Sequence, residues 1–143
     1  MMRVFLDASV LFAAAYSATG ASREIIRRAI RGQIECVVSD LVLEEARRNL
    51  GAKAPEALPS LEAFRQSTAF ETVRPRRKEI EKAMEYTAGK DAPVVAAARK
   101  ANVDYLLSLD RRHLVEAPEV HEGSGLAILL PGDFLQRLRE RRE

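Results

Sequence analysis

Four carboxylates, those of Asp7, Glu45, Asp91 and Asp110, are spread over most of the chain, yet each stands just past an apolar run, at a helix start or within two turns of one. Brought together, four such groups raise one another's pKa and cannot all ionise without compensation. A hard divalent cation with oxygen ligands supplies that compensation; Mg²⁺ takes near-octahedral coordination at about 2.0–2.1 Å and keeps several waters. Such sites suit phosphoryl chemistry, in which the ion activates water and two ions clamp the attacking and leaving oxygens. One of the acids can then act as general base. No histidine or cysteine accompanies the four in this pattern, which disfavours zinc. Each acid taken alone also has a structural reading. Asp7 can begin a turn, one of the neighbours Glu44 and Glu45 is solvated, Asp91 suits a helix start, and Asp110 can pair with Arg111 or Arg112. It is their convergence that carries function.

Convergence follows from the elements. Val4 to Leu6 is a short apolar run that ends at Asp7. Ser22 is a candidate cap for a helix whose stripe is Ile25, Ile26, Ala29 and Ile30, ended by Gly32. Ile34 to Val38 reads as a second strand, after which Ser39 caps a helix burying Leu41, Val42, Ala46 and Leu50 and closed by Gly51. Glu45 lies less than two turns into that helix and borders its inward face. Ala52 to Pro59 reads as a loop, Leu61 to Phe64 as a helix and Phe70 to Val73 as a strand. Glu79 to Ala88 and Asp91 to Ala101 read as helices, Tyr105 to Leu107 and Leu126 to Leu130 as strands. Pro131-Gly132 opens an amphipathic last helix through Phe134, Leu135 and Leu138.

Strands alternating with helices predict an α/β fold, a three-layer α/β/α sandwich on a mostly parallel sheet. In such sheets the site lies outside the carboxyl ends of the strands. Asp7 and Asp110 follow strands, Glu45 follows the second strand by a few residues, and Asp91 opens a helix that runs back to feed Tyr105 to Leu107. All four are therefore expected at one edge. Asp104 precedes its strand and belongs to the opposite edge.

The 143 residues predict a single domain over 1–143, long enough to bury a core without staples. One cysteine excludes a disulfide framework, and Cys36 reads as a small buried hydrophobe. No stretch approaches the roughly 20 apolar residues of a membrane span, so no membrane partner and a cytoplasmic location are expected. Cations number 23 against 21 acids, and 18 of the 23 are arginine, a residue suited to bidentate phosphate recognition. The same arginines can be solvated helix faces. Gly-x-x-x-x-Gly-Lys-Ser/Thr and Gly-x-Gly-x-x-Gly are both missing, so no nucleotide-cradling loop is supported. His113 reads as a loop or capping residue rather than as a phosphate contact at the pocket rim, His121 carries no signal, and Phe12 and Tyr16 read as core rather than as base-stacking platforms.

Four segments together resemble the PIN-domain nucleases, in particular the small single-domain kind that includes VapC-type toxins. They are Val4-Phe-Leu-Asp7-Ala-Ser9-Val-Leu, Ser39-Asp-Leu-Val-Leu-Glu44-Glu45-Ala-Arg-Arg-Asn-Leu50, Lys90-Asp91-Ala-Pro-Val-Val-Ala-Ala-Ala, and Asp104-Tyr-Leu-Leu-Ser108-Leu-Asp110. Leu130-Pro131-Gly-Asp-Phe134-Leu is similar to the ending of one PIN subgroup. The resemblance implies a Mg²⁺- or Mn²⁺-dependent endoribonuclease in which Asp7, Glu45, Asp91 and Asp110 are the catalytic and metal-holding acids. It implies that Ser9 and Ser108 orient an acid or a metal-bound water from behind, and that Arg111 and Arg112 are candidates to contact RNA. It further implies an RNA substrate, an antitoxin partner and a homodimer, with the apolar segments Ile25 to Ile30 or Leu61 to Phe64 as possible contact surfaces. Two positions depart from the family pattern: the adjacent aspartate pair is here Asp91-Ala92, and the acid often found after the last aspartate is replaced by Arg111, Arg112 and His113. The alternatives are a non-catalytic RNA- or protein-binding module on a PIN-like fold and a housekeeping RNA-processing nuclease.

Overall fold

The computed structural model describes residues 1–68 and 70–142. Five strands, β1 (Arg3–Leu6), β2 (Glu35–Ser39), β3 (Glu71–Val73), β4 (Tyr105–Leu107) and β5 (Ile128–Leu129), form one sheet in the order β3-β2-β1-β4-β5. Every neighbouring pair is parallel. Such strands are buried on both faces and read as continuous apolar runs; Val4, Phe5, Leu6, Leu106 and Leu107 are fully buried.

The helices are α1 (Ala8–Tyr16), α2 (Ala21–Ile30), α3 (Asp40–Lys53), α4 (Leu58–Ser67), α5 (Arg77–Ala83), α6 (Ala92–Lys100), α7 (Pro118–Ser124) and α8 (Pro131–Arg142). The chain winds outward from β1 through β2 to β3, then returns to β4 and continues to β5. Right-handed crossovers in opposite directions place their helices on opposite faces. Accordingly α1 packs on α2, α3 and α4, and α8 returns to pack on α2, while α5 and α6 pack together on the other face. Gly123 lets α7 close on that second layer, since a Cβ there would run into the Tyr86 ring. The expected three-layer sandwich is the fold. No described helix is long and apolar enough to cross a membrane.

Several local expectations are revised. Residues 8–16 form a helix that the pattern did not announce, because Leu-Phe-Ala-Ala-Ala is apolar on every side and has no stripe. Gly20, not Ser22, precedes α2, and Ser22 is buried inside it. Ile25 and Ile26 fill the core, whereas Ile30 at the helix end is exposed. Leu41 is also exposed, at 55%, because it lies in the first turn of α3 beyond the sheet's edge. Gly51 does not close α3, which runs on to Lys53; the expected loop that follows is a 3₁₀ turn at Pro55–Ala57 that leads into α4. The helix over 79–88 stops at Ala83. His121 lies in α7, where Nε2 is 3.1 and 2.9 Å from the carbonyl oxygens of Leu114 and Val115 and so carries the proton that ties α7 to the preceding turn.

Two surfaces offered for a partner are largely spent inside the molecule. Ile25, Ile26, Leu61 and Phe64 are buried in the chain's own core, so neither segment presents the apolar face expected of it.

Candidate metal centre

β1 and β4 are neighbours whose outgoing connections leave toward opposite faces, and this switch point is where open α/β sheets form a crevice. Leu6 pairs with Leu107, so the next residues, Asp7 and Ser108, face each other across the two strand ends. Asp7 ends β1 and caps α1 at once. Its Oδ1 accepts from the Ser9 amide (3.0 Å), the Val10 amide (3.2 Å) and the Ser9 hydroxyl. Its Oδ2 accepts from the Ser108 hydroxyl, leaving that oxygen with lone-pair capacity. The side chain is 7% exposed. Burial raises the Asp7 carboxyl above the usual aspartate range, against these donors, which pull it down.

The two serines lock the second strand end to the first. Leu109 donates its amide to Ser9 Oγ, and Asp110 donates its amide to Ser108 Oγ, both at 3.0 Å. The orienting role expected of Ser9 and Ser108 thus corresponds to a continuous hydrogen-bonded chain from Asp7 to the backbone of Asp110.

Asp7, Glu45, Asp91 and Asp110 line one open cavity of about 460 Å³. Ser39 starts α3 by accepting from the Val42 amide at 3.2 Å, and the turn that follows brings Glu45 to the cavity while Glu44 points to solvent. Pro93 in the first turn fixes the start of α6 just after Asp91. Asp91 is raised above its ordinary value, first by partial burial; Asp110 and Glu45 push it further up, while Lys90 and His113 oppose them.

Among the described residues, no lysine or arginine forms a salt bridge with any of the four acids. Arg111 pairs with Glu116 at 3.2 Å instead of with Asp110, and Arg112 is exposed. Asp91 Oδ2 is buried without any hydrogen-bond partner. An orphaned carboxylate oxygen, an undonated glutamate and a half-satisfied aspartate form an oxygen-rich donor set that fits a hard divalent cation.

The residue types and spacing did not single out five neighbours of the acids. His113, expected as a loop or capping residue, has its Nδ1 3.2 Å from Asp110 Oδ2, so a histidine does accompany the acids. The signal was the three-residue spacing from Asp110. Phe12 was read as core, and its ring instead lines the cavity while its inner edge packs on the core. Tyr16, one helical turn on, is 64% exposed and stacks with Phe12 at 6.0 Å between ring centres. Lys53 and Lys90 also line the cavity.

The sequence matches the PIN domain over residues 3–112, and the chain belongs to that family, whose members are nucleases. No curated protein matches it significantly by sequence. Among solved structures it is similar to PAE2754 from Pyrobaculum aerophilum, with TM-score 0.67 and 20% identity over 97% of this chain and 90% of that one. It is similar to VapC20 from Mycobacterium tuberculosis, described as a sarcin-ricin loop cleaving toxin, with TM-score 0.56 and 22% identity over 76% and 91% of the two chains. A third likeness is to VapBC2 from Rickettsia felis, solved bound to a DNA fragment from its promoter, with TM-score 0.62 and 13% identity over 89% and 97%. At these identities the likeness is one of fold.

Proposed function

We propose that this protein is a Mg²⁺- or Mn²⁺-dependent endoribonuclease that hydrolyses RNA phosphodiesters, and that it is the toxin of a toxin–antitoxin pair. The observation that carries the reading is the set of four acids with no lysine or arginine paired to them among the described residues, in one open cavity at the switch point of a PIN fold. A divalent ion bound there would polarise the phosphodiester and make water a nucleophile near neutral pH. Asp7, Asp91 and Asp110 hold the ion, with Asp7 kept in one orientation by Ser9 and Ser108. Glu45, which accepts no hydrogen bond from the described residues, takes the proton of the attacking water as general base. Lys53 and Lys90 hold the flanking phosphates as point charges, and Arg111 and Arg112 extend that contact outside the cavity.

Phe12 and Tyr16 favour a single-stranded substrate. Bases can stack on an exposed aromatic face only when they are free of a duplex, and such contacts are sequence-tolerant. The kinship in fold with VapC20 and VapBC2 supports RNA as the substrate and an antitoxin as the partner. A homodimer and a cytoplasmic location complete the proposal.

The test is cleavage of a labelled panel of single-stranded RNAs with Mg²⁺ or Mn²⁺ by the wild type, Asp7→Asn and Glu45→Gln. Metal-dependent cutting that both variants lose is expected. Binding of RNA without cutting, under any divalent ion, would replace the nuclease by a binding module.

A further inference from the structure

His113 stands outside the expected acidic set but within its reach. It lies in a π-helical turn, Arg111–Val115, in which Val115 donates its amide to the Asp110 carbonyl at 3.0 Å and Glu116 donates to Arg111 at 2.7 Å. Such widened turns recur at functional sites. Here the turn folds the His113 ring back over the residue that opens it. Asp110 Oδ1 accepts from the His113 amide at 3.0 Å, and Asp110 Oδ2 lies 3.2 Å from the ring Nδ1. The side chain is 41% exposed.

One ligand atom from each of Asp91, Asp110 and His113 lies within 4.8 Å of the other two. An octahedral ion with ligands at about 2.1 Å separates adjacent ligands by about 3.0 Å and opposite ones by about 4.2 Å. The 3.2 Å contact matches an adjacent pair, and the whole triplet needs only a slight contraction to close on one ion. Asp91, one of whose carboxylate oxygens is buried without a hydrogen-bond partner, supplies the third corner.

We propose that His113 is a ligand of the divalent ion together with Asp91 and Asp110, and that this nitrogen sets the site's preference toward Mn²⁺ and later first-row ions over Mg²⁺. The inference rests on the metal-centre reading above. Its physical basis is ligand softness: carboxylate and water suit Mg²⁺ and Mn²⁺ alike, whereas imidazole suits the later first-row ions, so a nitrogen added to the oxygen set favours first-row ions over Mg²⁺, with Mn²⁺ the least favoured of them. A carboxylate at the same place would keep an all-oxygen set. The histidine therefore changes which ion the site selects without changing its overall geometry.

The experiment uses the purified protein without RNA, loaded with Mn²⁺, and reads nitrogen-14 coupling by pulsed electron paramagnetic resonance. Competition between Mg²⁺ and Mn²⁺ is measured by calorimetry on wild type, His113→Gln and His113→Asp. The expected result is an imidazole coupling in the wild type that vanishes in both variants, with the Mn²⁺-over-Mg²⁺ affinity ratio falling about tenfold or more in His113→Asp. Bound Mn²⁺ with no nitrogen coupling in the wild type, or an affinity ratio unmoved by either variant, would overturn the role of His113 and leave the nuclease reading intact. Failure of the wild type to bind Mn²⁺ at all would overturn both. Melting curves that match the wild type confirm that the variants are folded.

Discussion

The two ends of the central sheet carry similar numbers of acids and treat them in opposite ways. At the amino end, Arg3 reaches Glu35 at 3.0 Å and Glu71 at 2.9 Å, donates to the Ala101 carbonyl at 2.8 Å, and gives its backbone amide to Asp104 at 2.8 Å. Glu71 is held below the ordinary glutamate range by that guanidinium. At the carboxyl end, Asp7 and Asp91 are both raised; their neighbours are further acids, serine hydroxyls and backbone amides, with Lys53, Lys90 and His113 nearby but no lysine or arginine paired to them among the described residues. One edge neutralises its charge internally. The other leaves charge for something from outside. Acid content alone does not distinguish them, and the placement of a single arginine does.

The contrast can be broken most severely at the carboxyl end. Asp91→Asn is expected to lower RNA cleavage by about 100-fold or more, the scale of several kcal/mol of metal-assisted stabilisation, while raising the melting temperature of the metal-free protein at pH 7. The sign follows from Asp91 being raised in the folded state. Its contribution is fully present below the unfolded-state pKa of about 3.9 and is lost as pH rises through the folded value, so the charged form is a penalty at neutral pH. The stabilisation by asparagine should shrink toward zero near pH 3.5. Thermal melts across pH in a metal chelator read this directly; a variant less stable than wild type at pH 7 would contradict it.

Ser108→Ala removes the hydroxyl that ties Asp7 to Asp110. A loss of about 10–100-fold in metal affinity or activity is expected, as for other groups that orient ligands from behind, with both quantities falling together in calorimetry and cleavage assays. Tyr16→Ala is expected to weaken single-stranded RNA binding by about 1–3 kcal/mol, the worth of one stacked base, with the cleavage rate at saturating RNA unchanged.

Arg3→Ala sharpens the comparison from the other end and has the smallest effect. The pairs it breaks are half-exposed, so about 1 kcal/mol, or about 3–5 °C in melting temperature, is expected, and cleavage per folded molecule should not change. Because Glu71 is depressed in the folded state, the stability it contributes is present above its unfolded pKa and lost as pH falls. The deficit of Arg3→Ala should therefore fade in acid, whereas the change caused by Asp91→Asn at the other edge fades there with the opposite sign.

Much of the carboxyl edge was legible beforehand because it rests on topology. Parallel strands joined by helices must return each carboxyl end to the same side, so a residue just past a strand can be placed without knowing its contacts. Asp7, Glu45, Asp91 and Asp110 were found together on that argument, and Asp104 was set apart by it. What escaped depends on side-chain periodicity or on distance in the chain. Helix α1 has apolar residues on all sides and so no moment to detect, which hid Tyr16 as an exposed ring. Leu41 and Ile30 fitted an apolar stripe but fall at helix ends, where the core no longer faces them.

The sequence by itself determined the alternation of strands and helices and the edge at which the acids meet, because periodicity and chain direction are local properties that survive without coordinates, and its short motifs carried the likeness to the family. Only the tertiary structure decided which charges are paired. That Arg3 serves Glu35 and Glu71, that Arg111 turns to Glu116, and that His113 folds onto Asp110 through a widened turn are matters of a few ångströms between segments. Electrostatic pairing falls off over those distances, and no spacing along the chain encodes them.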